Sequence, residues 1–197
     1  METIIFATKN KGKIKEINAI LADMDVNVIS MEDAGITIDV VEDGTTFEEN
    51  SMKKAVQIME VSGKITLADD SGLEIDYMDK APGVYSARFM GEDTPYEERF
   101  KAIFEKLDGV PAEKRTARFV SCIAAAFPDG RRLTTYDTVE GIIGYEVKGE
   151  NGFGYDPIFY VPDKGRYMAE LSAEEKNAIS HRGKALGKMK ELLKKEL

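Results

Sequence analysis

The 197-residue chain has one histidine, one cysteine and no tryptophan. So few histidines and cysteines exclude a zinc site built from several of these ligands. A single cysteine also excludes an intrachain disulfide, which favours a reducing compartment. A Ser-His-Asp or Cys-His triad is restricted to His181, because no other histidine is present.

Positive charge is also scarce: 27 Lys and Arg stand against 36 Asp and Glu, which gives a net charge of −9 at pH 7. This balance argues against broad binding to nucleic acid polymers or to anionic membranes. If the chain handles a polyanion, we expect local cations, a metal ion or both to hold it.

Long hydrophobic runs are missing as well, since none approaches the ~20 apolar residues of a membrane span. The longest run, residues 122–127, predicts a buried strand. The chain does not open with a cationic region followed by an apolar core, as a signal peptide does, so we expect a cytoplasmic protein.

Short apolar runs alternate with helical patterns, which predicts an α/β fold with one extended sheet covered by helices. Residues 3–7 have the apolar pattern of a buried strand, and Ile14, Ile17 and Leu21 have the spacing of the helix after it. Alternation over residues 36–40 predicts a half-buried strand. At ~100–200 residues per domain, the chain forms one domain over 1–197 or two small lobes.

A polar loop between the first strand and helix suits a phosphate group, because it combines a hydroxyl, an amide, ammonium groups and a helix N-terminus. It is not a P-loop, since Ile14 stands where Ser or Thr follows Gly-Lys. A solvated basic turn is the alternative interpretation. The candidate substrate-binding residues of this loop are Thr8, Lys9, Asn10, Lys11, Gly12 and Lys13.

Three carboxylates, Glu42, Asp69 and Asp70, form a candidate acidic site. Adjacent aspartates on a strand point to opposite sides, so one can bind a metal ion while the other holds the loop. Oxygen ligands without nearby His or Cys favour Mg²⁺. Taken alone, Asp-Ser-Gly over residues 70–72 is more typical of a turn.

The helix predicted after Thr46 offers a candidate cation. Lys53 follows Glu49 by four residues, and a surface ion pair explains it. Lys54 has Asn50 at that position instead, so it is the better candidate for a lysine that faces a cleft. A solvent-facing lysine is the alternative.

Two further groups suit a purine ring. Phe153 and Tyr155, on either side of Gly154, offer a flat stacking surface, with core packing as the alternative. Lys176, His181 and Arg182 supply hydrogen-bond donors near a predicted break between two helices, although a lone histidine is more often structural. Together these features describe a nucleotide whose phosphate chain binds magnesium.

The ordered motifs resemble the Ham1/RdgB family of inosine triphosphate pyrophosphatases over essentially the whole chain. The residues that carry this resemblance are 7–13, 46–50, 54–55, 68–73, 81–88, 152–157 and 175–182.

The resemblance implies an ITPase-like α/β fold, with an extended mixed sheet flanked by helices and two lobes around a central substrate cleft. It implies Mg²⁺-dependent hydrolysis of ITP, dITP and XTP to the monophosphate and pyrophosphate, which cleanses the nucleotide pool. It also implies a homodimer, while the expectation of no membrane and no nucleic acid polymer as partner comes from the net charge.

The resemblance further implies a role for each matching residue. Thr8, Asn10 and Lys13 hold phosphate, and Lys54 contacts the phosphate chain. Glu42 and Asp70 hold the metal, with Asp69 close by and Asp70 as the general base. Residues that contact the substrate and its base are Ser71, Phe153, Gly154, Tyr155, Asp156, Lys176, His181 and Arg182.

Two other functions stay open. The first is a Maf-like nucleotide pyrophosphatase with another base preference. The second is a nucleotide-binding regulator without catalysis, against which the Asp69-Asp70 pair and Lys54 argue. Pyrophosphate release from a panel of nucleoside triphosphates distinguishes these functions.

Overall fold

The fold is that of a computed structural model, which describes residues 2–197. Its strands form one seven-stranded sheet in the order β2-β1-β3-β4-β5-β6-β7, with β1 parallel to β2 and β3, and β6 antiparallel to β5 and β7. This confirms the predicted α/β class with a mixed sheet and flanking helices. The elements are β1 (Glu2–Phe6), α1 (Lys11–Leu21), β2 (Val26–Ser30), α2 (Phe47–Ser62), β3 (Thr66–Ile75), α3 (Tyr96–Lys106), β4 (Thr116–Ala126), β5 (Arg132–Ile143), β6 (Phe159–Val161), β7 (Arg166–Tyr167), α4 (Ala173–Ile179) and α5 (His181–Glu196).

The chain divides into two compact units, and the division falls within β3, β4 and β5. The first unit contains the residues up to Asp70, together with Ser121–Asp137 and His181–Leu197. The second contains Ser71–Val120 and Thr138–Ser180. Each unit has its own apolar core.

In the first unit, side chains alternate between two apolar clusters. Ile4 and Phe6 of β1 join a cluster with α1 and α5, while Ile5 joins another with α2. β3 follows the same rule, because Leu67 belongs to the first cluster and Ala68 to the second. Successive residues of a strand point to opposite faces, so this alternation decides which helix each polar residue of β3 faces.

In the second unit, α3 packs on strand residues through Phe100 and Ile103, both buried. Tyr155 and Ile158 belong to the same cluster and anchor the Gly-rich loop that precedes β6. The loop that carries the predicted aromatic residues is therefore tied to the core of this unit.

Two predicted elements are wrong. Residues 36–40 form no strand: Ile36 is buried in the cluster with α2, and Val40 packs against that cluster, without a ladder of backbone hydrogen bonds. The turn favoured over residues 70–72 is a strand, because β3 continues without interruption from Thr66 to Ile75. The alternation at 36–40 therefore reflects apolar anchoring alone.

Two predicted local contacts are also replaced. Lys53 pairs with Asp43 at 2.5 Å instead of with Glu49, whose carboxylate accepts the Thr45 backbone N–H at 2.7 Å. Thr94 followed by Pro95 is typical of an N-cap and a first helical residue, which predicts a helix that starts at Pro95. α3 instead begins at Tyr96, and the Thr94 hydroxyl donates to the carbonyl of residue 90.

Among residues 2–197, no helix combines the length and the apolar character needed to cross a bilayer.

The C-terminus of α2 yields a stability prediction. Gly63 ends α2 with φ +65°, a left-handed conformation that costs other residues about 1–2 kcal/mol. Gly187 lies inside α5 with open space around it, so alanine there is favoured by about 1 kcal/mol. We expect Gly63→Ala to lower the free energy of unfolding in urea and Gly187→Ala to raise it. Equal effects of the two variants contradict this assignment.

Candidate active site

β3 carries two adjacent aspartates through the core of the first unit. The side chain of Asp69 lies on the face of Leu67, towards α1 and α5, whereas Asp70 lies on the face of Ala68, towards α2. Asp69 is 1% exposed and Asp70 is 7% exposed. The prediction that the two side chains point to opposite sides is confirmed, and each meets a different environment.

Asp69 is surrounded by hydrogen-bond donors. The ammonium of Lys13 lies 2.6 Å from its Oδ2, the Ser121 hydroxyl donates to its Oδ1 at 2.7 Å, and Nε of Arg182 donates to Oδ2 at 3.3 Å. Burial by itself raises the pKa of this carboxyl, but Lys13 and Arg182 outweigh burial and hold the pKa well below its usual range. Asp69 is therefore ionised.

Arg182 is fully buried in the first unit, and its Nη1 donates to Glu16 at 2.5 Å. The guanidinium thus joins α5 to α1 through two carboxylates, Glu16 and Asp69. Sequence reasoning missed Glu16 and Ser121. The available signals were the position of Glu16 three residues after Lys13, and a hydroxyl at position 121 on the same strand face as buried Ile123.

Asp70 has the opposite electrostatics. Its Oδ2 is buried and has no hydrogen-bond partner among residues 2–197. Burial raises the pKa of the carboxyl from its ordinary value of 3.8 to about 6, Lys54 opposes this rise, and Glu42 adds to it. A buried carboxylate oxygen without a donor is suited to bind a cation or a water molecule.

Lys54 lies between these acidic groups. Its ammonium pairs with the carboxylate of Glu42 and donates to the backbone carbonyl of Asp69 at 3.2 Å. Its side chain is 16% exposed, so the solvent-facing alternative is wrong and Lys54 belongs to the acidic site. The first unit therefore brings Glu42, Lys54, Asp69 and Asp70 together with Lys13.

The rest of the predicted phosphate loop has local contacts. Oδ1 of Asn10 caps α1 by accepting the backbone N–H groups of Gly12 and Lys13 at 2.9 and 3.1 Å. The Thr8 hydroxyl accepts the Asn10 N–H at 3.1 Å. Lys9 pairs with Asp39 at 2.8 Å on the surface, and Lys11 is exposed. Within this loop, Lys13 is the residue that reaches the aspartates.

The predicted base-binding residues of the second unit form a separate buried pair. Lys176 donates to Oδ2 of Asp156 at 2.7 Å, and the same oxygen accepts the Phe153 N–H at 3.0 Å. The Lys176 ammonium lies 4.4 Å from the centroid of the Phe153 ring, within the range of a cation–π contact. These contacts fix the ring of Phe153, which is partly exposed.

Tyr155 differs from Phe153, because it is 4% exposed and its hydroxyl donates to the Ser86 carbonyl at 2.7 Å. Its ring meets that of Tyr96 edge to face, with centroids 5.2 Å apart. Core packing, the alternative interpretation, therefore describes Tyr155. Of the two aromatic residues, Phe153 is the better candidate for stacking on a base.

The remaining predicted residues are divided between the units. Ser71 follows Asp70 on β3, is partly exposed and belongs to the second unit, as does Gly154. His181 begins α5 in the first unit and is buried. The predicted break between two helices is confirmed, since α4 ends at Ile179 and α5 begins at His181.

The residues present fit a magnesium ion held by few protein ligands. Within the described part of the chain, no group of three or more His, Cys, Asp or Glu residues is arranged to hold a metal. Mg²⁺, however, typically takes one or two carboxylates and completes its shell with water and substrate phosphates. Glu42 and Asp70, with the unpartnered Oδ2 of Asp70, supply that donor set.

Comparison with known proteins assigns the chain to a family. The model of the Ham1 family matches residues 4–192. The chain belongs to the Ham1 family. A dITP/XTP pyrophosphatase from Desulforamulus reducens is 49% identical over 190 residues, which is 96% of this chain and 94% of that protein. A dITP/XTP pyrophosphatase from Bacillus subtilis is 45% identical over 193 residues, which is 98% of each chain.

Solved structures support the same assignment. The Ham1 protein of Staphylococcus aureus matches with a TM-score of 0.89 and 39% identity, covering 100% of both chains. A HAM1 protein from Coxiella burnetii matches with a TM-score of 0.90 and 39% identity, covering 99% of this chain and 100% of that one. The Ham1 fold therefore extends over the whole chain.

The opposite environments of the two aspartates predict opposite effects of pH on the free energy of unfolding. The measurement is made with a chelator present, so that no divalent cation is bound. The folded pKa of Asp70 is about 6 against 3.8, so the folded state holds the proton more tightly. The contribution of Asp70 to stability is therefore present below about pH 4 and is lost as the pH rises to about 6, by roughly 3 kcal/mol. We expect the free energy of unfolding in urea to be higher for Asp70→Asn than for the wild type at pH 8. At pH 4 the two values are expected to be equal.

Asp69→Asn is the matched variant of opposite sign. Folding lowers the pKa of the Asp69 carboxyl. The stability that ionised Asp69 contributes is therefore present above the pKa of the unfolded state and is lost as the pH falls. Replacing Asp69 removes the carboxylate that pairs with Lys13 and leaves Arg182 with Glu16 alone. Breaking a buried ion pair in this way typically costs about 3–5 kcal/mol. A loss of stability at pH 8 in both variants contradicts the assignment for Asp70.

Proposed function

We propose that this Ham1-family chain is a Mg²⁺-dependent pyrophosphatase that hydrolyses deaminated purine nucleoside triphosphates, ITP, dITP and XTP, to the monophosphate and pyrophosphate. The observation that carries the proposal is the group of Glu42, Lys54 and Asp70. The Lys54 ammonium pairs with the partly exposed carboxylate of Glu42, and the buried carboxylate of Asp70 has one oxygen without a partner among residues 2–197. The names of the relatives, dITP/XTP pyrophosphatases at 45–49% identity, support this substrate class.

In this proposal, Glu42 and Asp70 hold the magnesium ion. When bound, Mg²⁺ supplies charge neutralisation of the phosphate chain and polarisation of the α-phosphorus. The protein groups have to present the two carboxylates in their ionised form, and Lys54 favours ionisation of Asp70 against the effect of burial.

Asp70 orients a water molecule for attack on the α-phosphorus and accepts its proton, as a general base does. A carboxyl with a pKa of about 6 suits this role, because it is mostly ionised near neutral pH and is more basic than an ordinary aspartate. No covalent enzyme intermediate is required, which agrees with the absence of a convincing triad in the sequence.

Lys13 and Lys54 stabilise the charge that develops on the pyrophosphate leaving group. An ammonium has three N–H donors, so Lys13 can bind ionised Asp69 and still donate to phosphate. Asp69 is thereby assigned the role of holding Lys13 in position.

Base selection rests on the carbonyl that hypoxanthine and xanthine carry at position 6, where adenine carries an amino donor. Lys176, His181 and Arg182 are the predicted donors, and a buried donor left unpaired costs about 1–3 kcal/mol. Each such contact gives roughly a tenfold to hundredfold preference for the carbonyl. Guanine has the same carbonyl, so these donors do not reject it.

The names of the relatives favour a purine-directed enzyme over a Maf-like pyrophosphatase with another preference. Catalysis is favoured over a regulator by the retained pair of carboxylates with Lys54. A cleft between two lobes, a homodimer and a cytoplasmic location stay predictions from the sequence.

The reaction is tested by pyrophosphate release from ITP, dITP, XTP, ATP, GTP, CTP and UTP in excess Mg²⁺. We expect the first three to be preferred, and Asp70→Asn to lower kcat for ITP by at least about a hundredfold, since general-base catalysis contributes 10²–10⁴-fold. Asp163→Asn, which changes an exposed carboxylate, serves as the control. Wild-type turnover by Asp70→Asn excludes Asp70 as the base.

The two aromatic residues of the Gly-rich loop predict a second result. Stacking contributes about 1–3 kcal/mol per base, so Phe153→Ala is expected to raise KM for ITP about tenfold or more. Tyr155→Phe removes the hydrogen bond to Ser86 and is expected to cost about 1 kcal/mol of stability with KM unchanged. An unchanged KM for ITP in Phe153→Ala contradicts the stacking role of Phe153.

A further inference from the structure

Glu42 lies on a segment, residues 42–45, that has no helix or strand of its own. Contacts with neighbouring elements therefore have to fix the position of its carboxylate. Four successive residues of the segment contact α2 in reverse order along the chain: Glu42 with Lys54, Asp43 with Lys53, Gly44 with Asn50, and Thr45 with Glu49.

These four contacts are not equivalent. Asp43, Thr45 and Glu49 are exposed, and exposed pairs of this kind contribute little because they are solvated and mobile. Asn50 is 0% exposed, and its Oδ1 accepts the backbone N–H of Gly44 at 2.8 Å. The Glu42–Lys54 pair is partly exposed as well, since the side chains are 25% and 16% exposed. Asn50 therefore supplies the most buried of the four side-chain contacts between the segment and α2.

Gly44 allows this attachment by bringing its backbone unusually close. A Cβ at this position would lie 2.6 Å from Oδ1 of Asn50 and 2.8 Å from the Cβ of Glu49. Any other residue at position 44 therefore pushes the segment away from α2. Gly44 stands two residues after Glu42, so a displacement there moves the carboxylate.

The amide nitrogen of Asn50 makes no hydrogen bond to residues 2–197. Its Nδ2 is buried and has no acceptor within hydrogen-bond distance among residues 2–197. Asn50 therefore stabilises the segment through Oδ1, and an apolar side chain of similar size removes that single hydrogen bond without breaking another.

We propose that Asn50 is a positioning residue that holds the carboxylate of Glu42 in place for a divalent cation, by accepting the Gly44 N–H. This inference rests on the proposed function, which assigns Glu42 as a metal ligand. Groups that orient metal ligands in this way typically change metal affinity by 10–100-fold when they are replaced.

The test measures Mn²⁺ binding to the full chain without nucleotide, by the loss of the free Mn²⁺ signal in electron paramagnetic resonance. We expect Asn50→Leu and Gly44→Ala each to weaken Mn²⁺ binding about tenfold.

Ser51→Ala is the matched control, because Ser51 is equally buried on α2 but its hydroxyl donates to the carbonyl of residue 48 and lies 3.4 Å from the Cys122 sulfur. Its Mn²⁺ binding is expected to match the wild type. In steady-state assays, Asn50→Leu is expected to raise the Mg²⁺ concentration for half-maximal activity about tenfold, with kcat recovered at saturating Mg²⁺. A merely structural role lowers kcat without that recovery.

Glu42→Gln separates failure of this inference from failure of the proposed function. If Glu42→Gln weakens Mn²⁺ binding and Asn50→Leu does not, the positioning role is wrong while the metal site stands. If Glu42→Gln leaves Mn²⁺ binding unchanged, the metal site and the positioning role are both wrong. Thermal unfolding of each variant checks the fold, and Gly44→Ala tests the same hydrogen bond from the other side if Asn50→Leu does not fold.

Discussion

The arrangement of two adjacent carboxylates on one buried strand is the constraint on which the rest of the candidate site depends. β3 sends Asp69 towards α1 and α5 and Asp70 towards α2. An ionised carboxylate in an apolar core is strongly destabilising unless donors surround it. The first unit supplies those donors on one face of the strand and leaves an oxygen unpartnered on the other, so two identical side chains acquire different chemistry.

The two environments also explain how an acidic chain can keep cations where an anionic substrate needs them. Lys13 and Arg182 are held by Asp69, and Lys54 is held by Glu42. Arg182 also pairs with Glu16, so three cations are matched by three carboxylates and no net positive charge is added. The chain stays at −9 overall, and in the proposed function Lys13 and Lys54 are the cations that attract the phosphate chain.

Much of the fold and part of the site follow from local sequence rules. Gly63 ends α2, and Ser172 with Glu175 forms a capping box at α4, because both motifs act within one turn of helix. Strand alternation predicts the divergence of Asp69 and Asp70. The turn expected over residues 70–72 was wrong because the pairing of β3 in the sheet overrides the local preference of Asp-Ser-Gly.

What the sequence does not disclose is pairing between distant residues. Glu16 and Arg182 are 166 positions apart, and nothing in either helix pattern indicates that they meet. Asn50 was visible only as the reason why Lys54 lacks an ion pair within α2. In the structure, Asn50 accepts a hydrogen bond from Gly44, and Glu42, two residues before Gly44, pairs with Lys54. One substitution in that helix therefore affects both the cation and the carboxylate.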